Sequence, residues 1–146
     1  MSLIKTKTNT LTFSSITGNK GLNKALAMHR PDVIAEISAS GLKGRGGAGF
    51  PTSVKWNLAA AARSDKKYVI CNADEGEPGT FKDRVILSEF PDLVLEGMTI
   101  AAYAIGAAEG IIYLRAEYSY LRESLEATLA KREQDGFLGN DILGKD

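Results

Sequence analysis

The sequence predicts an α/β domain with few parallel strands flanked by helices and with an incomplete sheet. Three observations carry this prediction. Two short, continuous apolar runs, Tyr68-Val-Ile-Cys71 and Gly110-Ile-Ile-Tyr-Leu114, have the length and β-branched content of buried parallel strands. Segments of helical period flank and separate them, and the order reads α-α-loop-α-β-α-α-β-α, the alternation of an α/β layer arrangement. Two or three strands make a poor central sheet, so a sheet partner is expected to be missing.

Residues 1–20 are rich in Thr, Ser, Asn and Lys and read as an N-terminal arm; residues 21–146 read as one domain. A short helix is expected from Asn23 to His29. Pro31 suits a helix start, where its missing N–H costs nothing, and Asp32 suits the first turn. Val33, Ile34 and Ile37 share a face of that helix, and Gly41 is a good stop. Thr52 is the expected N-cap of the next helix, which runs through Val54, Trp56, Leu58 and the alanine run to about Ser64. After the Tyr68–Cys71 strand comes a helix from Phe81 to Glu89. Pro91 opens another, with Val94, Met98, Ala101, Ala102 and Ile105 facing inward and Gly106 as its stop. The Gly110–Leu114 strand leads to an amphipathic helix marked by Leu121, Leu125, Thr128 and Leu129, ending at Gly136. The tail from Phe137 to Asp146 has turn composition.

Bulk properties narrow the function. Lysine plus arginine equals aspartate plus glutamate, 18 each, so composition gives no support for nucleic-acid binding. No apolar stretch approaches the roughly 20 residues of a membrane helix, so direct membrane insertion is not expected. The start has no apolar core of signal-peptide length. One cysteine, Cys71, excludes an internal disulfide framework and any cysteine-rich cluster or zinc site within the chain. A soluble, reducing compartment is the default.

Two motifs carry chemistry. Gly44-Arg-Gly-Gly-Ala-Gly49 places four glycines in a loop whose backbone can approach a ligand closely. It satisfies the G-x-G-x-x-G pattern, but a helix and not a strand precedes it, which argues against the dinucleotide fingerprint. Phe50 and Pro51 stand where a phosphate-loop lysine and hydroxyl residue would follow. The physical logic survives both failures: exposed N–H groups and a helix start near Thr52 favour an anion, and Arg45 and Lys55 add charge. The alternative is a flexible surface loop with a solvated lysine beside it.

The second motif is Cys71-Asn-Ala-Asp-Glu-Gly-Glu-Pro-Gly-Thr-Phe-Lys-Asp-Arg84. Asp74, Glu75 and Glu77 crowd the C-terminal end of a strand, which is where open α/β sheets bind ligands. Like charges this close repel unless something offsets them. Polar ring edges and ribose hydroxyls suit them; so does an acidic turn in water. A divalent metal site is a third reading, without other obvious ligands in the chain. Cys71 reads as a small core hydrophobe, Trp56 as core, and His29 as structural. Asp83 and Arg84 either pair locally or cap the following helix.

At their spacing the two motifs closely resemble the FMN- and NADH-binding subunit of respiratory complex I. The same module occurs in the diaphorase subunit of NAD-reducing hydrogenases and the β subunit of NAD-dependent formate dehydrogenases. The resemblance covers Asn23 to Asp146. It implies a partial Rossmann-like FMN-binding domain in an NADH-oxidising flavoprotein, with hydride passing from NADH to FMN and electrons moving on to iron–sulfur clusters elsewhere. It further implies that Gly44, Arg45, Gly46, Gly47 and Lys55 line FMN. Asn72, Asp74 and Glu75 hydrogen-bond its ribityl chain or ring, Phe50 stacks on the adenine of NADH, and Glu77 lies beside the nicotinamide. A thioredoxin-like 2Fe-2S subunit and other electron-transfer subunits are the implied partners, on the cytoplasmic or matrix side and peripheral to an inner membrane. The family also has a second glycine-rich segment with a Gly-Glu-Glu-Thr core, a ubiquitin-like domain, and a helical domain with four cysteines for a 4Fe-4S cluster; this chain shows none of them. Leu58 stands where some members carry a second aromatic for the adenine. The expectation is the N-terminal part of a flavin domain, against the alternative of a non-catalytic remnant or assembly module.

Overall fold

A computed structural model of the chain describes residues 18–140 and 142. Most of the arm expected over residues 1–20 therefore lies outside the described residues. The elements run α1 (Lys20–Leu26), α2 (Arg30–Ala39), α3 (Thr52–Ala61), β1 (Tyr68–Ala73), α4 (Lys82–Glu89), α5 (Pro91–Ile105), β2 (Glu109–Leu114), a 3₁₀ turn (Ala116–Leu121) and α6 (Arg122–Gln134). This is the expected order, with helix ends shifted by at most three residues.

The strands pair parallel, from Tyr68 opposite Glu109 to Ala73 opposite Leu114, and form a two-stranded sheet. The crossover between them runs through α4 and α5. Helix α5 is the organising element: it packs against both strands and against every other α-helix. Its sequence explains this. Pro91 sits at the start, Leu95, Thr99, Ala101, Ala104 and Ile105 are buried, and Gly106 ends it in the left-handed region at φ 71°.

Two apolar clusters result. Ala73, Leu87, Tyr118, Leu121 and Leu125 gather under the inner sheet face, with Cys71, Val94, Ile112 and Leu114 against them. Ala25, Val33, Ile34 and Ala104 form the second, with Trp56 packed against it. Trp56 and Cys71 thus take the core roles their sequence context gives them. Burial, with the Asp83 charge nearby, pushes the Cys71 thiol up, as suits an inert side chain. Lys67 spans the C-terminal ends of α3 and α5, donating to the Ala60 carbonyl at 2.7 Å and the Ile105 carbonyl at 3.2 Å, where helix carbonyls lack partners.

Two expectations need correction. Thr52 is not the cap of α3: it is the first helical residue, Pro51 takes the N-cap position, and no side chain caps the end. The strands are not buried on both faces. Val69, Cys71, Ala73, Ile112 and Leu114 point inward, but Tyr68, Ile70, Ile111 and Tyr113 point outward and are 44–62% exposed. The apolar runs have the composition of doubly covered strands, and among the described residues helices cover one face only.

Candidate functional site

The glycine loop is a closed excursion between α2 and α3. Its neck is tied by a hydrogen bond from the Gly44 N–H to the Phe50 carbonyl at 2.9 Å and one from the Thr52 N–H to the Leu42 carbonyl at 3.0 Å, with a bridge between Lys43 and Pro51. Between these ties the chain turns through Gly47 at φ 112°, a conformation that disfavours any side chain. A Cβ at Gly46 or Gly47 would meet nothing within 4 Å. Among the described residues, no acceptor takes the N–H groups of residues 45–50. The loop is therefore an exposed backbone cradle with free donors. Helix α3 runs from this loop toward the start of β1, so the loop lies at the C-terminal end of the sheet.

The acidic loop leaves β1 at that same end. Asn72 Oδ1 accepts the Asp74 N–H at 3.2 Å, the Gly76 N–H bonds the Asp74 carbonyl at 2.9 Å, and the Thr80 N–H bonds the Glu77 carbonyl at 3.1 Å. These turns bring the two loops face to face across an open cleft of about 530 Å³. Its walls include Arg45, Gly46 and Gly47 on one side and Asn72, Asp74, Glu75 and Glu77 on the other. Of the expected site residues, the structure thus assembles seven. Gly44 and Phe50 form the neck behind the lining, with Phe50 half exposed, and Lys55 lies further along α3, outside the cleft. Lys82, absent from the expected set, also lines the cleft and pairs with Asp83 at 2.7 Å. Its signal in the sequence is its place at the opening of the helix that follows the acidic loop.

Glu75 is 5% exposed although it sits between other carboxylates. Its Oε1 accepts the Asp83 N–H at 2.8 Å. Its Oε2 accepts the Tyr118 hydroxyl at 2.9 Å and the Arg84 N–H at 3.4 Å. Burial alone would raise its carboxyl; the bonds from Asp83, Tyr118 and Arg84 outweigh that and hold it below the usual range. Glu75 therefore caps α4, whose own N-cap residue, Phe81, supplies no side-chain bond. Asp83 and Arg84 meet this carboxylate through their backbone N–H groups, and the Asp83 side chain pairs with Lys82. Glu77 makes no hydrogen bond or ion pair through its side chain among the described residues, and no group of three or more acids, histidines or cysteines there could hold a metal ion. No helix among them is long and apolar enough to cross a membrane.

A glycine loop with free N–H groups facing a polar, carboxylate-lined wall at the C-terminal end of a parallel sheet is the arrangement in which open α/β folds bind nucleotides. Comparison with known proteins specifies it. Residues 37–143 match the family described as the Nuo51 FMN-binding domain, and the chain belongs to that family. It is 56% identical over 124 residues to NAD-reducing hydrogenase HoxS subunit alpha of Cupriavidus necator, covering 85% of this chain and 21% of that protein. It is 46% identical over 134 residues to an NADH-quinone oxidoreductase subunit of Rhizobium meliloti, covering 91% and 32%. A crystal structure of NAD⁺-reducing [NiFe]-hydrogenase in the H₂-reduced state superposes with a TM-score of 0.76 at 42% identity, over 82% of this chain and 21% of that one. The chain thus spans about a fifth to a third of these relatives' length.

Proposed function

We propose that the cleft is the phosphate and ring-edge half of a flavin site, and that the chain serves an NADH-oxidising flavoprotein. The observation that carries this is the meeting of the glycine cradle with Asn72, Asp74 and Glu77 across one cleft. FMN fits the donor set: open backbone at Gly46 and Gly47, unaccepted N–H groups, and Arg45 without an ion-pair partner among the described residues suit its phosphate. Gly44 closes the neck of the cradle, Lys55 adds positive charge in the first turn of α3, and Asn72 and Asp74 offer acceptors to hydroxyls or ring N–H groups. Phe50, half exposed at the neck, would stack on an adenine, and Glu77, whose side chain is unpaired among the described residues, would border the nicotinamide. Bound FMN supplies the hydride-accepting ring; the chain's part is to hold and orient both partners. Electrons would then pass to iron–sulfur centres, including that of a thioredoxin-like 2Fe-2S subunit, within an assembly on the cytoplasmic or matrix side of an inner membrane.

Titration with FMN and then NADH, followed residue by residue by amide NMR, tests the reading, because it detects weak binding. FMN is expected to shift the amides of residues 45–47 and 72–74. Glu77→Gln is expected to alter the NADH response and leave the FMN response nearly intact. Equal loss of both, or shifts scattered outside the cleft, would overturn the assignment. The exposed apolar sheet face favours a second reading, an assembly module that does not itself bind FMN; a wild-type chain with no FMN response at all selects it.

A further inference from the structure

The acidic loop is a thin wall between two hollows. One is the cleft; the other, about 330 Å³, lies behind the loop and is lined by residues 75–80 together with Arg115, Glu117 and Tyr118. No side chain of the described residues fills that second hollow, so among them the loop's position depends on the few bonds that span it. The bonds within the loop, at Asp74, Gly76 and Thr80, shape its turns but do not tie it to the sheet. The Asp83 and Arg84 N–H groups tie it to α4 through the Glu75 carboxylate, and its ties on the side of the sheet come from the chain just after β2. The Arg115 guanidinium donates through Nη1 to the Glu75 carbonyl and through Nη2 to Glu117 at 2.7 Å. The Tyr118 hydroxyl donates to the Glu75 carboxylate at 2.9 Å, from a ring that is itself part of the inner core cluster. The register explains the meeting. Ala73 pairs with Leu114, so residues 74–77 and 115–118 leave neighbouring strand ends together.

We propose that Arg115 and Tyr118 are positioning residues that clamp the acidic loop from behind, with Glu117 orienting Arg115, and that Glu75 serves as the loop's anchor while Asp74 and Glu77 face the cleft. The functional weight of the clamp rests on the flavin reading given above; its existence does not. Glu117 suits its part: the hydrogen bond and charge of Arg115 bring its carboxyl down to about 2, so the pair stays ionised across the working range. Glu75 has both carboxylate oxygens occupied, which leaves its neighbours in the loop as the groups free to meet a ligand.

Tyr118→Phe removes one oxygen and keeps the ring in the core; Arg115→Gln removes the guanidinium. In the 146-residue chain, hydrogen exchange at the Gly76, Thr80 and Asp83 amides is expected to rise about tenfold or more in either variant, the factor of one lost charge-assisted bond. The Leu22 and Leu95 amides should keep their protection, which separates loosening of the loop from general unfolding. If Arg115→Gln does not fold, Tyr118→Phe alone decides. Unchanged exchange at the three loop amides overturns the clamp. FMN titration of the same samples forms a separate arm: a weaker FMN response with intact global stability supports positioning, and an unchanged one overturns it. If wild-type chain shows no FMN response, the flavin reading fails, and exchange still decides the clamp.

Discussion

Gly47 shows how one residue controls the cleft. At φ 112° with open space where a Cβ would stand, it supplies both the turn and the close backbone approach. Gly47→Val places a β-branched side chain in a region costing about 1–2 kcal/mol and projects it toward the ligand. FMN-induced shifts at residues 45–47 should vanish; if they persist unchanged, the site does not depend on a glycine at this position. Glu75 acts in the opposite direction, inward. Its folded carboxyl lies below its unfolded one, so it contributes stability above the unfolded value and loses it as pH falls through the folded one. Thermal unfolding scanned from neutral pH downward should show stability falling below about pH 4.3, the ordinary glutamate value. Glu75→Gln should be less stable at neutral pH by about 1–3 kcal/mol and flatter across that acid range. A variant with the wild-type acid slope would show that other carboxylates carry it.

Helices α1 and α4 share a device that local sequence does not display. Neither has a capping side chain of its own, and each is capped by a buried glutamate from elsewhere. Glu75 caps α4. Glu96, on α5 and 6% exposed, accepts the Leu22 N–H at 2.9 Å and the Asn19 N–H at 3.2 Å, fastening α1 to the central helix. Glu96→Ala should loosen α1 by about 1–3 kcal/mol, read as faster exchange at the Leu22 amide with β1 amides unchanged. Equal loss at both would mean that α5 itself had failed. The same device explains which parts of the fold are legible in sequence. Period and the Pro31, Pro91, Gly41, Gly106 and Gly136 punctuation locate the α-helices of the described residues, because they act within a few residues. The helix ends and the role of Glu75 depend on partners 8 to 77 positions away, at Asp83, Tyr118 and Asn19. Spacing cannot reveal these. The cleft is legible through β1, whose acidic motif stands at a strand end. Arg115 and Tyr118 follow the end of β2 in the same way, but without an acidic or glycine-rich motif to mark them.

The sheet face decides the behaviour of the whole molecule. Tyr68, Ile70, Ile111 and Tyr113 form a contiguous outward strip on two paired strands, and Ile70 and Tyr113 are 62% and 61% exposed. Among the described residues both strands also have an unpaired outer edge, in a sheet of two strands. Apolar strips and open edges are the two features that soluble domains normally cover, because each offers a template to a second chain. The relatives that match this chain are about three to four times its length, so they contain much more protein besides the shared region. The isolated chain should therefore self-associate at micromolar concentrations and bind FMN weakly, since the cradle residues 45–47 are exposed and the cleft is open. Light scattering against concentration measures the first, and flavin fluorescence the second. Ile70→Lys with Ile111→Lys, at outward positions away from the cleft, should shift the chain toward monomer without changing the FMN response. A wild-type chain that stays monomeric and carries stoichiometric FMN would show that this face needs no cover and that the half-site suffices alone.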